Sequence, residues 1–410
     1  MVSEKELFIN IASENLTGVA YKTVALKKRI IGYLANIGDG TIADLCKELN
    51  TSIPTITKLL AELIEEGFVL DYGKIETAGG RKPNLYGINP ESVYFMGVEV
   101  KRQSLNMCII DFKRRIISLK ERVPFMLANT NESFNELCAG INSFIEESNV
   151  DKKKIYGVVI NLSGRVNSQT GYSYSFYPFE GEPLTKLVEA KIGVKTYLEN
   201  DTRAMAYGEF FGGDTPQERN ALFVNLSRGI GLGVMIDGKL YYGNSGFAGE
   251  FGHIPFYENE TLCHCGKRGC LETEASGIAL ERAVEKLLSE GKSSLLAKKV
   301  AEGERIKLED IVYAAKHEDI LSIEQIEVVG EKVGKAIALL INLFNPELVV
   351  VGGAISTVGE YVMLPIRSAI NKYSLTLVSK DTAIRASKLG DKAGVIGACM
   401  LVRSRLIDTL

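Results

Sequence analysis

Residues 246–272 read GFAGEFGHIPFYENETLCHCGKRGCLE and contain four strong metal ligands within a short span. The ligands are one imidazole, His253, and three thiols, Cys263, Cys265 and Cys270. Such a set of nitrogen and sulfur donors is typical of tetrahedral zinc, and four protein ligands leave no open position for catalysis. The spacing therefore predicts a closed, structural zinc site.

The chain has only three histidines, and two of them, His253 and His264, lie in this segment. We assign His253 as the ligand because His264 stands between Cys263 and Cys265 and is poorly placed to reach the same ion. The alternative is a run of buried free cysteines, or a disulfide. The Cys-x-Cys pattern, with glycines close by, favours a ligand-bearing turn.

Two carboxylates flank the predicted metal site. Glu250 lies three residues before His253, and Glu272 lies two residues after Cys270. A metal that orders this loop also orders both carboxylates, and a neutral metal-bound imidazole keeps a second ring nitrogen for another partner. We therefore expect a rigid polar pocket for a hydroxyl-rich ligand beside the metal.

The pattern His-x9-Cys-x-Cys-x4-Cys, preceded by Gly-Glu-Phe-Gly-His and closed by Gly-Cys-Leu-Glu, resembles the ROK family of repressors, open reading frames and sugar kinases. The resemblance runs from about Tyr94 to the C-terminus. It implies an α/β protein with the two-lobed sugar kinase/actin-like fold. The remaining sequence must then distinguish a kinase from a repressor.

Composition limits the function. The 410 residues, 46% of them hydrophobic, suffice for two or three domains with real cores. A net charge of −3 excludes a global polycation, so any contact with DNA must come from a local surface. The sequence shows no membrane span and no signal peptide, and its cysteines suit a reducing compartment, so we expect a cytoplasmic protein.

The first ninety residues predict a winged helix-turn-helix. Helical periodicity covers residues 21–36, Thr41 can cap a short helix over 42–49, and Pro54 suits the first turn of a third helix. In this layout the start of the third helix enters the major groove. The candidate DNA-binding residues on that helix are Ser52, Thr55, Thr57 and Lys58.

A hairpin follows, with strands near 68–70 and 85–88 and the tip GGRKP at 79–83. Its Arg81 and Lys82 suit phosphates or a narrow minor groove, and the tip is similar to the wing of ROK repressors. The alternative is a protein-interaction module, with the basic run 27–29 as a solvated helix face. Residues 1–90 hold ten Lys plus Arg against eleven Asp plus Glu, so this segment is not net basic.

From residue 91 onward, short apolar runs alternate with helical segments, which predicts an α/β architecture. We expect a winged helix over 1–90, a small lobe over 91–198 and 386–410, and a large lobe with the zinc site over 199–385. The clearest predicted strands are 94–100, 105–112, 155–161, 194–199, 221–225, 232–236 and 348–351, and the clearest helices are 133–147 and 327–344.

Three loops follow strands, where ligands bind in such folds. They are 162–165, 199–201 and the glycine-rich 227–233. By the family resemblance, Asn200 binds a sugar hydroxyl and Asp201 stands where the kinases have their catalytic base; the alternative is a helix N-cap. The candidate effector-binding residues are Ser163, Gly164, Asn200, Asp201, Glu250, His253 and Glu272.

The phosphate loop departs from the kinase pattern. ROK kinases carry Asp-x-Gly-Gly-Thr, whereas residues 99–103 here read EVKRQ. Lys101 and Arg102 replace both glycines and obstruct the close approach that phosphoryl transfer needs. Arg228 likewise stands in a turn where the kinases favour Gly-Thr-Gly, and the later Gly352-Gly353 pair is consistent with packing alone. We therefore predict that catalysis has been lost.

The leading hypothesis is a sugar-responsive repressor that binds double-stranded operator DNA as a homodimer or homotetramer. Its effector is a sugar or a sugar phosphate, and its zinc is structural. The alternative is an active ROK sugar kinase with an appended DNA-binding module. A third hypothesis is a sugar-binding scaffold whose winged helix binds protein; salt-dependent affinity for a DNA duplex would exclude it.

Overall fold

The computed structural model describes residues 19–74, 83–179, 181–212 and 218–407. The described chain divides into two compact units. The first contains the chain up to Leu162, the segment Thr170–Leu198 and the chain from Ala398 onward. The second contains Ser163–Gln169 and Glu199–Gly397. The three domain limits derived from the sequence stay a prediction.

A helix-turn-helix with a hairpin forms the N-terminal part of the first unit, as predicted. Its elements are α1 (Val19–Asn36), α2 (Ile42–Leu49), α3 (Ile53–Glu65), β1 (Val69–Lys74) and β2 (Asn84–Ile88). Thr41 caps α2, because its hydroxyl accepts the Asp44 N–H while the Asp44 carboxylate accepts the Thr41 N–H. Its core contains Ile30, Ile31, Leu34, Leu45, Ile56, Leu60 and Leu63, all at most 2% exposed.

Two of the three residues in the basic run of α1 are buried, whereas the third, Arg29, is exposed. Lys27 is 6% exposed and Lys28 is 2% exposed. The Lys27 ammonium lies 2.8 Å from a Glu62 carboxylate oxygen and 2.6 Å from one of Glu66, so it ties α1 to α3. The interpretation of this run as a solvated helix face is therefore wrong for both lysines.

The chain then builds the first five-stranded sheet of the described residues. The elements in order are β3 (Tyr94–Val100), β4 (Ser104–Asp111), β5 (Ile116–Pro124), α4 (Asn131–Glu147), β6 (Ile155–Leu162), β7 (Val166–Asn167), β8 (Tyr172–Ser173), α5 (Leu184–Ile192) and β9 (Thr196–Asn200). The strand order across the sheet is β5-β4-β3-β6-β9. Strand β3 pairs antiparallel with β4 and parallel with β6.

The second unit builds the other five-stranded sheet. Its elements are α6 (Asp201–Phe211), β10 (Ala221–Leu226), β11 (Ile230–Ile236), β12 (Lys239–Leu240), α7 (Glu272–Ala275), α8 (Gly277–Ser289), α9 (Ala297–Ala301), α10 (Leu308–Lys316), α11 (Ile320–Phe344), β13 (Leu348–Gly352), α12 (Glu360–Tyr373), α13 (Thr376–Ser379) and β14 (Ala383–Ala386). The last helix, α14, covers Ala393–Ile407. One apolar cluster joins β10, β11 and β13 to α8, α10, α11 and α12.

The two sheets share one topology. The second sheet has the order β12-β11-β10-β13-β14. Counted within each unit, both sheets therefore read 3-2-1-4-5, with an antiparallel pair on one side of the first strand and a parallel strand on the other. Such a repeated α/β unit is the architecture of the sugar kinase/actin-like fold, so the predicted fold class is confirmed.

Some elements differ from the predictions. Strands β5 and β14 were not predicted, and α11 begins at Ile320 rather than at 327 because the Asp319 carboxylate accepts the Ser322 N–H and caps the helix there. Among the described residues no helix is long and apolar enough to cross a bilayer. Short 3-10 turns cover Pro90–Ser92, Lys152–Lys154, Phe251–His253, Ile355–Val358 and Gly390–Lys392.

Candidate functional site

Asn200 joins two of the three predicted ligand loops. It is the N-cap of α6, and its side-chain oxygen Oδ1 accepts the Arg203 backbone N–H at 3.1 Å. Its amide nitrogen donates to the Gly164 carbonyl at 3.1 Å. The N-cap role and the contact between the 162–165 and 199–201 loops therefore coexist in one side chain. Ser163, beside Gly164, is half-buried.

Asp201 opens α6 and is half-buried. Burial raises the pKa of this carboxyl to about 6, although its Oδ1 accepts the Thr202 N–H at 2.7 Å. A carboxyl accepts hydrogen bonds from hydroxyl groups in its ionised form. Asp201 therefore lies directly after Asn200 with a carboxyl whose pKa is raised by burial.

The glycine-rich third loop packs against α6. A Cβ at Gly231 would lie 2.1 Å from the Thr202 hydroxyl oxygen, and a Cβ at Gly233 would lie 2.5 Å from the Ala206 Cβ. The glycines therefore permit β11 and α6 to approach each other. Arg228, in the same loop, has its Nη1 3.0 Å from a carboxylate oxygen of Glu281. This geometry explains the glycine spacing without a phosphate.

A buried ion pair that the sequence analysis did not predict lies beside the Asn200–Asp201 turn. Glu199 is 1% exposed and Arg203 is 4% exposed. The Glu199 Oε1 accepts from Arg203 Nε at 2.7 Å, from the Ser168 hydroxyl at 2.9 Å and from the Asn200 N–H at 2.8 Å. The Tyr242 hydroxyl donates to its Oε2 at 3.0 Å. Only the four-residue spacing of Glu199 and Arg203 at a helix start was visible beforehand.

The predicted metal ligands come together in the second unit. The ligand atoms of His253, Cys263, Cys265 and Cys270 all lie within 4.8 Å of one another. Backbone bonds shape the loop, because the Cys263 N–H donates to the Lys267 carbonyl and the Gly266 N–H donates to the Cys263 carbonyl. These bonds form the turn that the Cys-x-Cys spacing suggested.

The spacing of the donors fits a tetrahedral ion. The Cys265 and Cys270 sulfurs are 3.7 Å apart, and the Cys263 sulfur lies 3.6 Å from His253 Nδ1. Bond lengths of about 2.3 Å for Zn–S and about 2.0–2.1 Å for Zn–N give tetrahedral edges of about 3.8 Å and about 3.6 Å. All seven cysteines are free thiols, so no disulfide competes for these sulfurs.

The predicted carboxylates lie next to this cluster. His253 Nε2, the nitrogen turned away from Cys263, lies 3.9 Å from a Glu250 oxygen. Glu272 is buried, and its Oε1 lies 2.9 Å from the Cys263 sulfur and 3.5 Å from His253 Nδ1. Burial and this carboxylate raise the pKa of the Cys263 thiol, so a metal that binds there must displace a proton.

His264 lies closer to the cluster than the sequence suggested. Its Nδ1 lies 2.8 Å from Glu272 Oε1 and 3.9 Å from the Cys263 sulfur. A second possible donor group therefore consists of His253, His264 and Glu272. We favour the set with three thiols, because its distances match tetrahedral edges and sulfur is the ligand that zinc takes in structural sites.

The candidate DNA-reading surface is the N-terminal end of α3, from its N-cap Ser52 to Lys58. Ser52, Thr57 and Lys58 are exposed, and Thr55 is half-buried. The Ser52 and Thr55 hydroxyl oxygens are 2.9 Å apart, and the Lys58 ammonium lies 3.9 Å from a Glu62 carboxylate oxygen. The predicted wing residues Arg81 and Lys82 lie outside the described residues.

Comparisons with known proteins agree with this fold. The ROK family matches residues 95–405. The chain is similar to the xylose repressor of Caldicellulosiruptor bescii, with 29% identity over 368 residues that cover 89% of this chain and 92% of the relative. It is also similar to a solved ROK family transcriptional regulator described as a homolog of the E. coli MLC protein, with a TM-score of 0.78 and 27% identity over 94% of this chain and 98% of that chain.

A kinase of the same family matches less of the chain. The ROK family glucokinase from Streptomyces griseus, solved with glucose and AMPPNP, has a TM-score of 0.66 and 30% identity over 76% of this chain and 99% of that chain. The protein belongs to the ROK family, and the resemblance inferred from the metal-binding segment is confirmed. The regulator match, at 94% of this chain, extends into the winged helix.

Proposed function

We propose that this protein is a sugar-responsive transcriptional repressor. The observation that carries the proposal is the junction of a winged helix-turn-helix and a sugar kinase-like ROK domain in one chain. The similarity to a xylose repressor and to a ROK transcriptional regulator supports it. The winged helix binds operator DNA, and a sugar bound in the ROK domain changes that binding because it has different affinities for two states of the protein.

The sugar site lies in the second compact unit. Asn200 and Asp201, close to Ser163 and Gly164, supply an amide and a carboxylate at the end of β9. Glu250, the free nitrogen of His253, and Glu272 supply further polar groups next to the metal-binding loop. Such convergent acceptors and donors suit a polyol, for which each buried hydroxyl needs a partner.

The metal is a structural Zn²⁺ held by His253, Cys263, Cys265 and Cys270. The fit of the two measured donor distances to a tetrahedron supports this assignment. Its function is to hold the segment between Gly246 and Glu272, and with it the imidazole that faces Glu250, in one conformation. A metal-bound histidine commonly donates its second ring N–H to a carboxylate, as His253 can to Glu250.

The ROK domain has lost phosphoryl transfer. The strands β3 and β4 are joined by a tight turn without glycine, in which the Lys101 N–H donates to the Ser104 carbonyl and the Arg102 carbonyl accepts the Leu127 N–H. The Lys101 ammonium lies 3.7 Å from Glu99. The side chains of Lys101 and Arg102 stand where the kinases have glycines and obstruct the close approach of phosphates to the backbone. The ion pair of Arg228 with Glu281 supports the same conclusion.

The DNA-binding surface consists of Ser52, Thr55, Thr57 and Lys58, with Arg81 and Lys82 of the wing. Exposed polar side chains near the N-terminal end of the third helix are what a major-groove reader needs. A homodimer or homotetramer would present two such surfaces to adjacent half-sites of an operator.

The first test is fluorescence anisotropy of the full-length protein on the DNA upstream of its own gene. The protein is titrated with D-xylose, D-glucose, N-acetyl-D-glucosamine and their phosphates. Salt-sensitive binding that one of these compounds releases is the expected result. Failure to bind the duplex at low salt refutes the repressor function.

An active sugar kinase is the second candidate, and the observation that favours it is the retained carboxylate of Asp201 at the start of α6. An ATP-coupled assay with the same sugars decides between the two. We expect no sugar-dependent ADP release above the background ATPase, whereas turnover that Asp201→Asn abolishes would establish the kinase.

A further inference from the structure

The second compact unit buries one ion pair, Glu199 with Arg203, at a cost in free energy. Glu199 and Arg203 are almost fully buried, and Arg203 Nη2 is buried without a hydrogen-bond partner among the described residues. Taking two charges out of water offsets much of their attraction, so a buried pair of this kind is weak evidence for added stability. The bonds of this pair instead connect the groups around it.

The groups around this pair are those of the proposed sugar site. Glu199 Oε1 accepts the N–H of Asn200, and Arg203 is the residue whose N–H the Asn200 side chain caps. On its other side, Arg203 Nη1 donates to the Gly246 carbonyl at 2.9 Å. Gly246 is the first residue of the metal-binding segment. One guanidinium therefore bonds both Glu199, the residue before Asn200, and Gly246, the start of the metal-binding segment.

A second set of contacts runs in parallel. The Ser168 hydroxyl donates to Glu199, and the Asn167 amide donates to the Ser245 carbonyl at 3.3 Å. The Tyr242 ring centroid lies 5.3 Å from the Arg203 guanidinium carbon. The guanidinium is thus enclosed by the segments that it connects.

We propose that Arg203 is a positioning residue that holds the turn Asn200–Asp201 and the start of the metal-binding segment at Gly246 in one arrangement, so that sugar affinity depends on its guanidinium. The part of this inference that concerns sugar rests on the proposed function. The part that concerns local order does not.

Arginine is suited to this role where lysine is not. Its planar fork donates in several directions at once, so Nε bonds Glu199 while Nη1 bonds Gly246. A lysine has one nitrogen at the end of a flexible stem and can neutralise Glu199 without also reaching Gly246 in the same geometry. Arg203→Lys therefore keeps the positive charge beside Glu199 but removes the bond to Gly246.

The experiment compares full-length wild type with Arg203→Gln, Arg203→Lys and a matched control, Arg403→Gln. Arg403 is also buried and donates to two backbone carbonyls, those of Phe112 and Ala35, in the first compact unit. Amide hydrogen exchange is followed by mass spectrometry in peptides covering 196–206 and 242–252. Calorimetry with D-glucose, D-xylose and N-acetyl-D-glucosamine measures sugar affinity.

Arg203→Gln is expected to accelerate exchange at least about tenfold in both peptides and to weaken the sugar that wild type binds best. Arg203→Lys should protect 196–206 but not 242–252, and the control should change neither peptide. Unchanged exchange in 242–252 for both Arg203 variants overturns the inference. If Arg203→Gln does not fold, Arg203→Lys alone decides in the same way.

The sugar readout separates this inference from the proposed function. If wild type binds none of the three sugars, the proposed effectors are wrong, and the exchange data still decide whether Arg203 positions both segments. If wild type binds a sugar that Arg203→Gln binds equally well, the repressor function stands and the positioning role fails.

Discussion

Replacing Asp201 by asparagine should stabilise the protein while it weakens the sugar site. Burial raises the pKa of Asp201 from 3.8 to about 6. The pKa of this carboxyl is higher in the folded than in the unfolded protein. The carboxyl therefore destabilises the folded state most when it is ionised in both states. Its unfavourable contribution begins near pH 3.8, grows through pH 6 and is complete above it.

The size of the effect follows from the same shift. At about 1.4 kcal/mol per pH unit, the ionised carboxylate costs about 3 kcal/mol at pH 8 and about 0.5 kcal/mol at pH 4. Asparagine keeps an oxygen for the Thr202 N–H and carries no charge. Asp201→Asn should therefore raise the free energy of unfolding by up to about 3 kcal/mol at pH 8, with a much smaller gain at pH 4.

Asp319→Asn is the matched control, because Asp319 also lies at the start of a helix but its pKa shifts in the opposite direction. Burial opposes ionisation of Asp319, yet hydrogen bonds from Ser322 and the Leu295 N–H lower its pKa overall. Its carboxylate thus stabilises the fold at neutral pH, and this contribution fades as the pH falls through the folded-state pKa. The control variant should lose stability at pH 8.

The assay is urea unfolding of both variants and wild type at pH 4 and pH 8, with calorimetry of sugar binding at pH 8. The argument predicts opposite signs for the two variants at pH 8 and a sugar affinity for Asp201→Asn that is at least about tenfold weaker, since a hydrogen bond to a charged acceptor is lost. If Asp201→Asn raises the free energy of unfolding by the same amount at both pH values, the raised pKa of Asp201 is not the cause.

Three further outcomes are expected. Cys263→Ser should contain no zinc by elemental analysis and should unfold at a lower temperature than wild type. Cys138 is a buried thiol outside the cluster, so Cys138→Ser should keep the metal. A full zinc content in Cys263→Ser contradicts the ligand set. Lys58→Ala should reduce the slope of log K against log salt for operator binding by about 1, and an unchanged slope places Lys58 away from DNA. Gly231→Val should lower the free energy of unfolding by about 1–3 kcal/mol, because its Cβ would lie 2.1 Å from the Thr202 hydroxyl oxygen. A variant as stable as wild type would mean that α6 shifts away from β11 without cost.

Local signals predicted much of the fold. Helix α1 ends at the predicted residue 36, α2 covers the predicted 42–49 and α3 has Pro54 in its first turn, since capping by Thr41 and the position of Pro54 act over one turn. Long apolar runs such as β10 and β13 were also visible, because a fully buried strand is apolar on both faces.

Elements without a continuous apolar run escaped prediction. Strand β5 is mostly exposed or half-buried, and β14 has four residues with no fully buried side chain. The burial of Lys27 was missed for a related reason, because its partners Glu62 and Glu66 lie on another helix, more than thirty residues away. A basic run has the same sequence whether it faces water or two carboxylates.

The sequence alone determined the ligand types of the metal site, the winged helix and the family, because each depends on residues close together in the chain. Only the tertiary structure decided that Glu199 meets Ser168, Arg203 and Tyr242, that Gly246 joins them, and that both sheets repeat one strand order. The physical reason is range. Periodicity and capping act over a few residues, whereas the side-chain bonds of Glu199 and Arg203 join residues up to 43 positions apart and form only when the sheets and helices have packed.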